Sequence, residues 1–124
     1  ELGIRRALLL NVSGAFHSPL MKPVREPLSE VINSVNFNDA QVPVFQNLNG
    51  KSARASKIIQ QNILDQLENP VLWSDIILNM KGAGITDYFE TGPGKVLKGL
   101  NLRIYPESNT YNFGKLAQLD TCEV

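Results

Sequence analysis

The residues best suited to chemistry lie in the segment 13–21, which reads SGAFHSPLM. This segment contains His17, the only histidine in the 124-residue chain, with the hydroxyl-bearing Ser13 and Ser18 close by. A neutral imidazole can accept and release a proton near neutral pH, so His17 is a candidate general acid–base. A capping or surface histidine ahead of a helix is the structural alternative, and this segment alone leaves both interpretations open.

A nucleophile for His17 to activate is not evident. Ser13 and Ser18 are too close to it in sequence to form the usual serine–histidine arrangement. The G-x-S-x-G elbow, which presents a catalytic serine in many acyl-transferring enzymes, does not occur in the sequence. The sequence therefore offers a base without its nucleophile.

A metal site and a bound cofactor are not expected. The sequence has one histidine and one cysteine, Cys122, which lies in the last few residues. No group of carboxylates has the spacing of a metal-ligand set. Glu26 and Glu30, four apart in a predicted helix, are interpreted as a solvated helix face.

A second segment of interest is 90–95, ETGPGK, between a predicted strand and a predicted helix. Free N–H groups and the helix dipole could hold an anion at such a place. The spacing to Lys95 fits neither a Walker motif nor G-x-G-x-x-G. A tight turn that needs glycine is the structural interpretation, and the wall of a ligand cleft at the sheet edge is the functional one.

Length and charge restrict the class of protein. With 43% hydrophobic residues, 124 residues are enough for one compact domain. Twelve basic residues balance twelve acidic ones, which argues against broad binding to nucleic acid or to anionic membranes. The apolar runs are too short for a membrane span or a signal peptide. The missing initiator methionine suggests a fragment or processed product, and the single cysteine suits a reducing, cytoplasmic compartment.

Hydrophobic periodicity predicts alternating strands and helices. The predicted strands are 5–11, 42–48, 85–90 and 109–113, and the predicted helices are 19–35, 56–67, a helix around 73–80, and 95–104. A short extended piece is expected at 35–37, and a turn at 47–51. This order predicts an α/β fold with a mostly parallel sheet.

Local signals refine two of these helices. Ser18 is expected to cap the first helix, with Pro19 in its first position. Pro27 predicts either a kink near residues 23–27 or a regular helix that begins later. Ser56 is expected to cap the second helix. The inward residues predicted for the last helix are Val96, Leu97, Leu100 and Ile104.

Three sequence motifs occur in a characteristic order: SGAFHSPLMKP at 13–23, DQLENPVLW at 65–73 and ETGPGKVLKGL at 90–100, with VPVFQNLNGK between the first two. Together they resemble the C-terminal part of bacterial malonyl-CoA:acyl carrier protein transacylases of type II fatty-acid synthesis, and also the acyltransferase domains of polyketide synthases. The likeness runs from about residue 3 to about residue 104.

The resemblance implies the C-terminal portion of an α/β-hydrolase-like acyltransferase domain, with a mostly parallel sheet flanked by helices. Residues 1–12 would be the last strand of a small ferredoxin-like subdomain, or the return into the large domain. Residues 13–114 would belong to the large domain, and residues 115–124 would be a tail.

The resemblance also implies a ping-pong transfer of malonyl from CoA to the phosphopantetheine thiol of an acyl carrier protein, through an acyl-serine intermediate. His17 matches the family's general base and acid. Gln66 matches a glutamine whose backbone carbonyl orients that histidine without placing a full negative charge beside the anionic malonyl group. Phe16 matches a position where a bulky aromatic accompanies malonyl selectivity. Val96 would line the acyl pocket.

The family's nucleophile elbow, carboxylate-binding arginine and oxyanion-hole segment lie upstream of the matched part and are not found here. The chain is therefore expected to be inactive alone and to need the missing N-terminal half of the same enzyme as a partner. The alternatives are a non-catalytic split-gene partner, a carrier-protein-docking module, or a piece trimmed from a full enzyme by proteolysis.

Overall fold

The computed structural model describes residues 14–114 of the chain. The predicted strand 5–11, Ser13, the tail 115–124 and its Cys122 lie outside the described residues. In chain order the elements are a 3₁₀ helix Pro19–Val24, α1 Arg25–Ser34, β1 Val44–Phe45, β2 Ser52–Ala53, α2 Ser56–Gln66, α3 Trp73–Gly82, β3 Asp87–Thr91, α4 Val96–Ile104 and β4 Asn109–Phe113. The elements predicted as α2, α3, β3, α4 and β4 form at nearly their expected positions.

A parallel strand pair connected by a helix determines the fold class. β3 and β4 pair in parallel, from Asp87 opposite Asn109 to Thr91 opposite Phe113. α4 connects the two strands and packs against β4. Parallel pairing through a crossover helix is typical of α/β proteins. The predicted α/β class is confirmed.

The predicted strand 42–48 is wrong in extent. Only Val44–Phe45 is extended, and it pairs antiparallel with Ser52–Ala53, a strand that was not predicted. The turn between them is the expected one, closed by a hydrogen bond from the Gly50 N–H to the Gln46 carbonyl at 3.0 Å. Residues 35–37 form no strand.

The start of α1 follows the second of the two predicted alternatives. The Ser18 hydroxyl accepts from the Leu20 N–H at 3.4 Å, and Pro19 opens the 3₁₀ helix. The α-helix begins later, at Arg25. Pro27 therefore lies in the first turn, where the N–H that proline lacks would have no partner within the helix. Pro27 therefore causes no break within α1.

The expected cap of α2 is wrong. Ala55 occupies the N-cap position without a side-chain bond. The Asp39 carboxylate instead accepts from the Ser56 N–H at 2.8 Å. This backbone hydrogen bond lowers the pKa of Asp39. A carboxylate is favourable at the positive end of the helix dipole, so a residue 17 positions away does what the local serine was expected to do.

The interior lies between α3, α4 and β4, with Ile32 of α1 also buried. Ile76 and Ile77 are 2% and 0% exposed, as the helical pattern around 73–80 predicted. The inward face predicted for α4 is partly wrong, because Val96 is 70% exposed whereas Asn101 is 2% exposed. The Asn101 amide accepts from the Trp73 indole N–H at 3.1 Å and donates to Thr110 at 3.3 Å. These bonds allow a polar side chain to replace an apolar one at the centre.

The opposite side of the β3–β4 pair carries three aromatic side chains, which we call the aromatic face: Phe89, Tyr111 and Phe113. The Phe89 ring stacks on Tyr111 at 5.2 Å and on Phe113 at 5.8 Å between ring centroids. Phe89 and Tyr111 are nevertheless 51% and 46% exposed within the described residues. In the same part of the chain, none of the helices has the length and apolarity needed to cross a membrane.

Candidate acid–base site

His17 lies in a loop with an unusual backbone conformation. Its φ is 60°, the only positive value at a non-glycine residue between residues 14 and 114. The left-handed conformation costs a side-chain-bearing residue about 1–2 kcal/mol, so other contacts must hold it. On the N-terminal side of the 3₁₀ helix, the Ser18 hydroxyl donates to the Ala15 carbonyl at 2.7 Å and closes the loop around His17.

The imidazole of His17 is held by the end of α2. Its Nδ1 lies 2.9 Å from the backbone oxygen of Gln66, the last residue of that helix. Carbonyls at a helix C-terminus lack an intrahelical donor, so this oxygen is available to accept. It also accepts from the Asn69 N–H at 3.3 Å. Since a carbonyl only accepts, Nδ1 carries the proton and Nε2 carries the basic lone pair of the neutral ring.

The side-chain amide of Gln66 supports this assignment. Its Nε2 donates to the carbonyls of Asn69 at 2.8 Å and Pro70 at 3.3 Å. These two acceptors determine which end of the amide is nitrogen. The same Nε2 lies 3.2 Å from Nδ1 of His17, but two donors facing each other form no hydrogen bond. Gln66 Oε1 is buried without a partner in the described part of the chain.

Arg25 joins the start of α1 to the end of α2. Its guanidinium contacts Asp65 Oδ1 at 2.5 Å and Glu68 Oε1 at 3.0 Å. It also donates to the backbone oxygen of Leu64 at 3.4 Å. The hydrogen bond from Arg25, and then that from Gln61, lower the pKa of Asp65. We call this group the Arg25 clamp. The two ends of the clamp are 40 residues apart, and the sequence pattern contained no signal for it.

The glycine-rich turn before α4 is a tight turn closed by the chain's own carboxylate. Gly92 and Gly94 have φ values of 121° and 91°, which side-chain-bearing residues rarely adopt. The Glu90 carboxylate accepts from the Leu97 N–H at 3.0 Å and the Lys98 N–H at 3.1 Å. An external anion would have to displace this carboxylate to reach the helix N-terminus. The structural interpretation of the turn therefore accounts for its glycines.

Of the four residues expected in the site, two are in contact with each other and two are exposed. His17 and Gln66 are in contact, as the resemblance implied. Phe16 precedes His17 and is 59% exposed, and Val96 at the start of α4 is 70% exposed. Within residues 14–114, no group of three or more histidine, cysteine, aspartate or glutamate side chains is arranged to hold a metal ion.

Proteins similar to this chain were found by sequence and by structure, although no family model matches the chain. The malonyl CoA-acyl carrier protein transacylase of Synechocystis is 38% identical over 117 residues, which cover 94% of this chain and 40% of that protein. The crystal structure of the Synechocystis transacylase superposes with a TM-score of 0.88 at 37% identity, covering 95% of this chain and 40% of that one.

A further match is a malonyl-transacylase solved in complex with a type II polyketide synthase acyl carrier protein. It has a TM-score of 0.87 at 34% identity, over 96% of this chain and 38% of that one. The chain thus spans between 32% and 40% of the length of the relatives that it matches.

The parallel strand pair, its crossover helix and the structural superposition define the C-terminal portion of an α/β acyltransferase domain. Within that class, the chain belongs to the malonyl-CoA:acyl carrier protein transacylase family and corresponds to a C-terminal part of its members. The family resemblance drawn from the three ordered segments is confirmed.

Proposed function

We propose that this chain supplies the acid–base histidine of a malonyl-CoA:acyl carrier protein transacylase whose nucleophilic serine lies outside the chain. In the first half-reaction the serine oxygen attacks the malonyl thioester while His17 Nε2 takes the serine proton. The C–S bond breaks, and the same proton passes to the departing CoA sulfur. In the second half-reaction the phosphopantetheine thiol gives its proton to His17 and attacks the malonyl-serine ester. A C–S bond forms, the ester C–O bond breaks, and the proton passes from His17 to the departing serine oxygen.

The observation that carries this proposal is the 2.9 Å contact between His17 Nδ1 and the Gln66 carbonyl. An acid–base histidine needs one nitrogen fixed as a donor so that the other is basic and correctly oriented. A neutral carbonyl provides that orientation without a full negative charge. The absence of such a charge suits a substrate that itself carries a carboxylate.

Phe16 and Val96 are proposed to contact the acyl group. Both side chains are more than half exposed in the described structure, at 59% and 70%, so neither is committed to the interior. Phe16 directly precedes the proposed base, where a large ring would restrict the space beside the malonyl carbon between its two carbonyls. The proposal assigns Phe16 to selectivity for malonyl over branched acyl groups.

The proposed polypeptide partner is the portion of the family fold that this chain does not span. The aromatic face supports this assignment, because stacked rings that remain about half exposed are typical of a surface that another element covers. An outer edge of the β3–β4 pair would accept a further strand.

Malonyl-CoA and an acyl carrier protein are the proposed substrates, and a cytoplasmic location is part of the proposal. The division into residues 1–12, 13–114 and 115–124 also remains a proposal.

The test uses radiolabelled malonyl-CoA and a holo acyl carrier protein. The isolated chain should acquire no stable label, because a base without a nucleophile forms no acyl-enzyme. When the chain is combined with the complementary portion of a family enzyme, transfer to the carrier protein should appear. His17→Ala should then lower the transfer rate by about 10²–10⁴-fold.

The matched control is Arg103→Gln, an exposed position on α4, which should leave the rate unchanged. Stable labelling of the isolated chain, or full transfer by the His17→Ala combination, would contradict the proposal. A chain that remains a well-behaved monomer and does not associate with the complementary portion would favour a self-sufficient docking module instead.

A further inference from the structure

The segment 14–34, which carries His17, makes side-chain hydrogen bonds to more distant parts of the described structure through two residues. Among residues 14–114, these bonds run from His17 to Gln66 and from Arg25 to the end of α2 and to Glu68 just beyond it. The Arg25 bonds therefore restrain the segment 14–34 and the end of α2, which must lie close together for His17 to reach Gln66.

The Arg25 clamp contacts the end of α2 directly beside the Gln66 carbonyl, to which His17 is hydrogen-bonded. Asp65 is the residue immediately before Gln66, and Glu68 follows two residues after it. Arginine presents several N–H groups in a rigid planar fork, so contacts with two carboxylates restrict orientation as well as distance. A single point charge in the same place would restrict the distance alone.

The α2 end of the clamp is itself fixed. The Gln61 amide lies within hydrogen-bonding distance of both Asp65 carboxylate oxygens, at 3.0 and 3.1 Å. The Asn69 side chain donates to the Asp65 backbone oxygen at 2.7 Å. Asp65 is therefore held through both its side chain and its backbone.

The other end of the clamp leads back to His17 through a stiff connection. Arg25 is the first residue of α1, and the 3₁₀ helix between it and the His17 loop contains Pro19 and Pro23. Proline fixes one backbone dihedral, so movement of Arg25 is passed along this helix. The left-handed backbone of His17, at φ 60°, requires such external restraint to persist.

We propose that Arg25 is a positioning residue for the acid–base site: its contacts with Asp65 and Glu68 set the separation between His17 Nδ1 and the Gln66 carbonyl, and so keep the imidazole protonated on Nδ1. The consequence for catalysis rests on the proposed function. The structural claim concerns the hydrogen bond itself and is tested without activity.

Because His17 is the only histidine of the chain, its two ring nitrogens give an unambiguous long-range ¹H–¹⁵N spectrum. In the full 124-residue chain, Arg25→Gln should lower the ratio of the Nδ1–H to the Nε2–H tautomer by about three- to tenfold, the range expected for losing one neutral hydrogen bond. Arg25→Lys, which retains the charge without the fork, should give an intermediate ratio. Arg103→Gln should give the wild-type ratio.

A wild-type tautomer ratio in Arg25→Gln, even with reduced stability, would overturn the proposal, because a merely structural residue changes stability and leaves the tautomer alone. If Arg25→Gln does not fold, the double variant Asp65→Asn with Glu68→Gln decides by the same ratio: a shift supports the proposal and an unchanged ratio overturns it. Failure of the proposed function has a separate sign, namely full malonyl transfer with His17→Ala in the combined enzyme.

Discussion

At the scale of single residues, the site depends on a backbone atom as much as on side chains. His17 donates to the Gln66 carbonyl, an oxygen that any residue in this position would present. The Gln66 side chain has a different task, since its amide holds the carbonyls of Asn69 and Pro70. The two parts of Gln66 can therefore be separated by mutation.

We predict that Gln66→Ala keeps the Nδ1–H tautomer of His17 as the major form, because the backbone carbonyl remains. The variant should lose about 0.5–1.5 kcal/mol of unfolding free energy, since the amide hydrogen bonds to the 69–70 turn are removed. Urea unfolding measures the second effect and ¹H–¹⁵N spectra measure the first. Conversion to the Nε2–H tautomer would contradict the assignment of the orienting role to the backbone.

We also predict that Glu90→Ala destabilises the chain by about 1 kcal/mol, because the N–H groups of Leu97 and Lys98 lose their acceptor at the start of α4. Glu90→Gln should cost less, since an amide oxygen can still accept one of the two bonds. Glu30→Ala on the exposed face of α1 is the control in the same urea experiment. Equal midpoints for Glu90→Ala and Glu30→Ala would refute the capping role.

At the scale of elements, carboxylates at both ends of α2 link it to earlier parts of the chain. Asp39 caps its first turn, and Asp65 and Glu68 at its end receive Arg25. Each contact links α2 to the segment before it in the chain. These contacts explain how a short helix with no fully buried residue keeps a fixed position.

We predict that Asp39→Ala lowers the urea midpoint of unfolding more than Ser56→Ala does. The Asp39 carboxylate accepts the capping bond from the Ser56 N–H, and Ser56→Ala keeps that backbone bond while it removes the hydroxyl that also interacts with Asp39. The pair of variants thus compares the cap seen in the structure with the cap expected from the sequence pattern. A larger loss for Ser56→Ala would restore the local capping interpretation.

The pKa shifts of Asp39 and Asp65 give a pH dependence. Both pKa values are lowered in the folded chain, Asp39 by the Ser56 backbone N–H and Asp65 by Arg25, relative to an ordinary value of 3.8. A carboxylate whose pKa is lower in the folded chain stabilises the fold at pH values above its unfolded-state pKa. This stabilisation is lost as the pH falls through the folded-state pKa. We therefore expect stability to decline below about pH 4.

In Asp65→Asn this decline should be shallower than in the wild type, because the amide does not titrate. Urea unfolding between about pH 5 and pH 3 measures the slope. Glu26→Gln, an exposed carboxylate on α1, is the control and should retain the wild-type slope. A slope unchanged by Asp65→Asn would show that this ion pair does not contribute to acid sensitivity.

At the scale of the whole molecule, the described residues leave the aromatic face uncovered on one side of the β3–β4 pair. Stacked rings that remain about half exposed favour association with a further element. We predict that Phe89→Ser weakens binding to the complementary portion of the family fold by about tenfold or more, as for a buried aromatic anchor. Val42→Ser, also exposed at 68% but far from this face in sequence, is the control.

Binding is measured by titration calorimetry or by analytical ultracentrifugation of the mixed polypeptides. The isolated wild-type chain should also self-associate more than Phe89→Ser in the same instrument. If Phe89→Ser binds as tightly as the wild type, the aromatic face is not the surface that the partner covers.

Much of the fold could be predicted from the chain because helix signals are local. The periodicity of Ile76 and Ile77 with Trp73 and Met80 predicted α3. Pro27 predicted either a kink or a late start of α1, and the structure has the late start. The β1–β2 hairpin could not be predicted in the same way, since Ser52–Ala53 is too short and too polar to stand out as a strand. Asn101 was missed because its burial depends on partners from α3 and β4.

Helical periodicity predicted the α/β class, and the three ordered motifs predicted the family, because both are properties of the chain. The pairing of His17 with Gln66 was implied only by the family resemblance. The left-handed backbone of His17, the capping of α2 by Asp39 and the contact of Arg25 with Asp65 were seen only in the folded structure. The capping and ion-pair contacts join residues 17 and 40 positions apart. No local propensity selects such partners, because folding alone brings them within hydrogen-bonding distance.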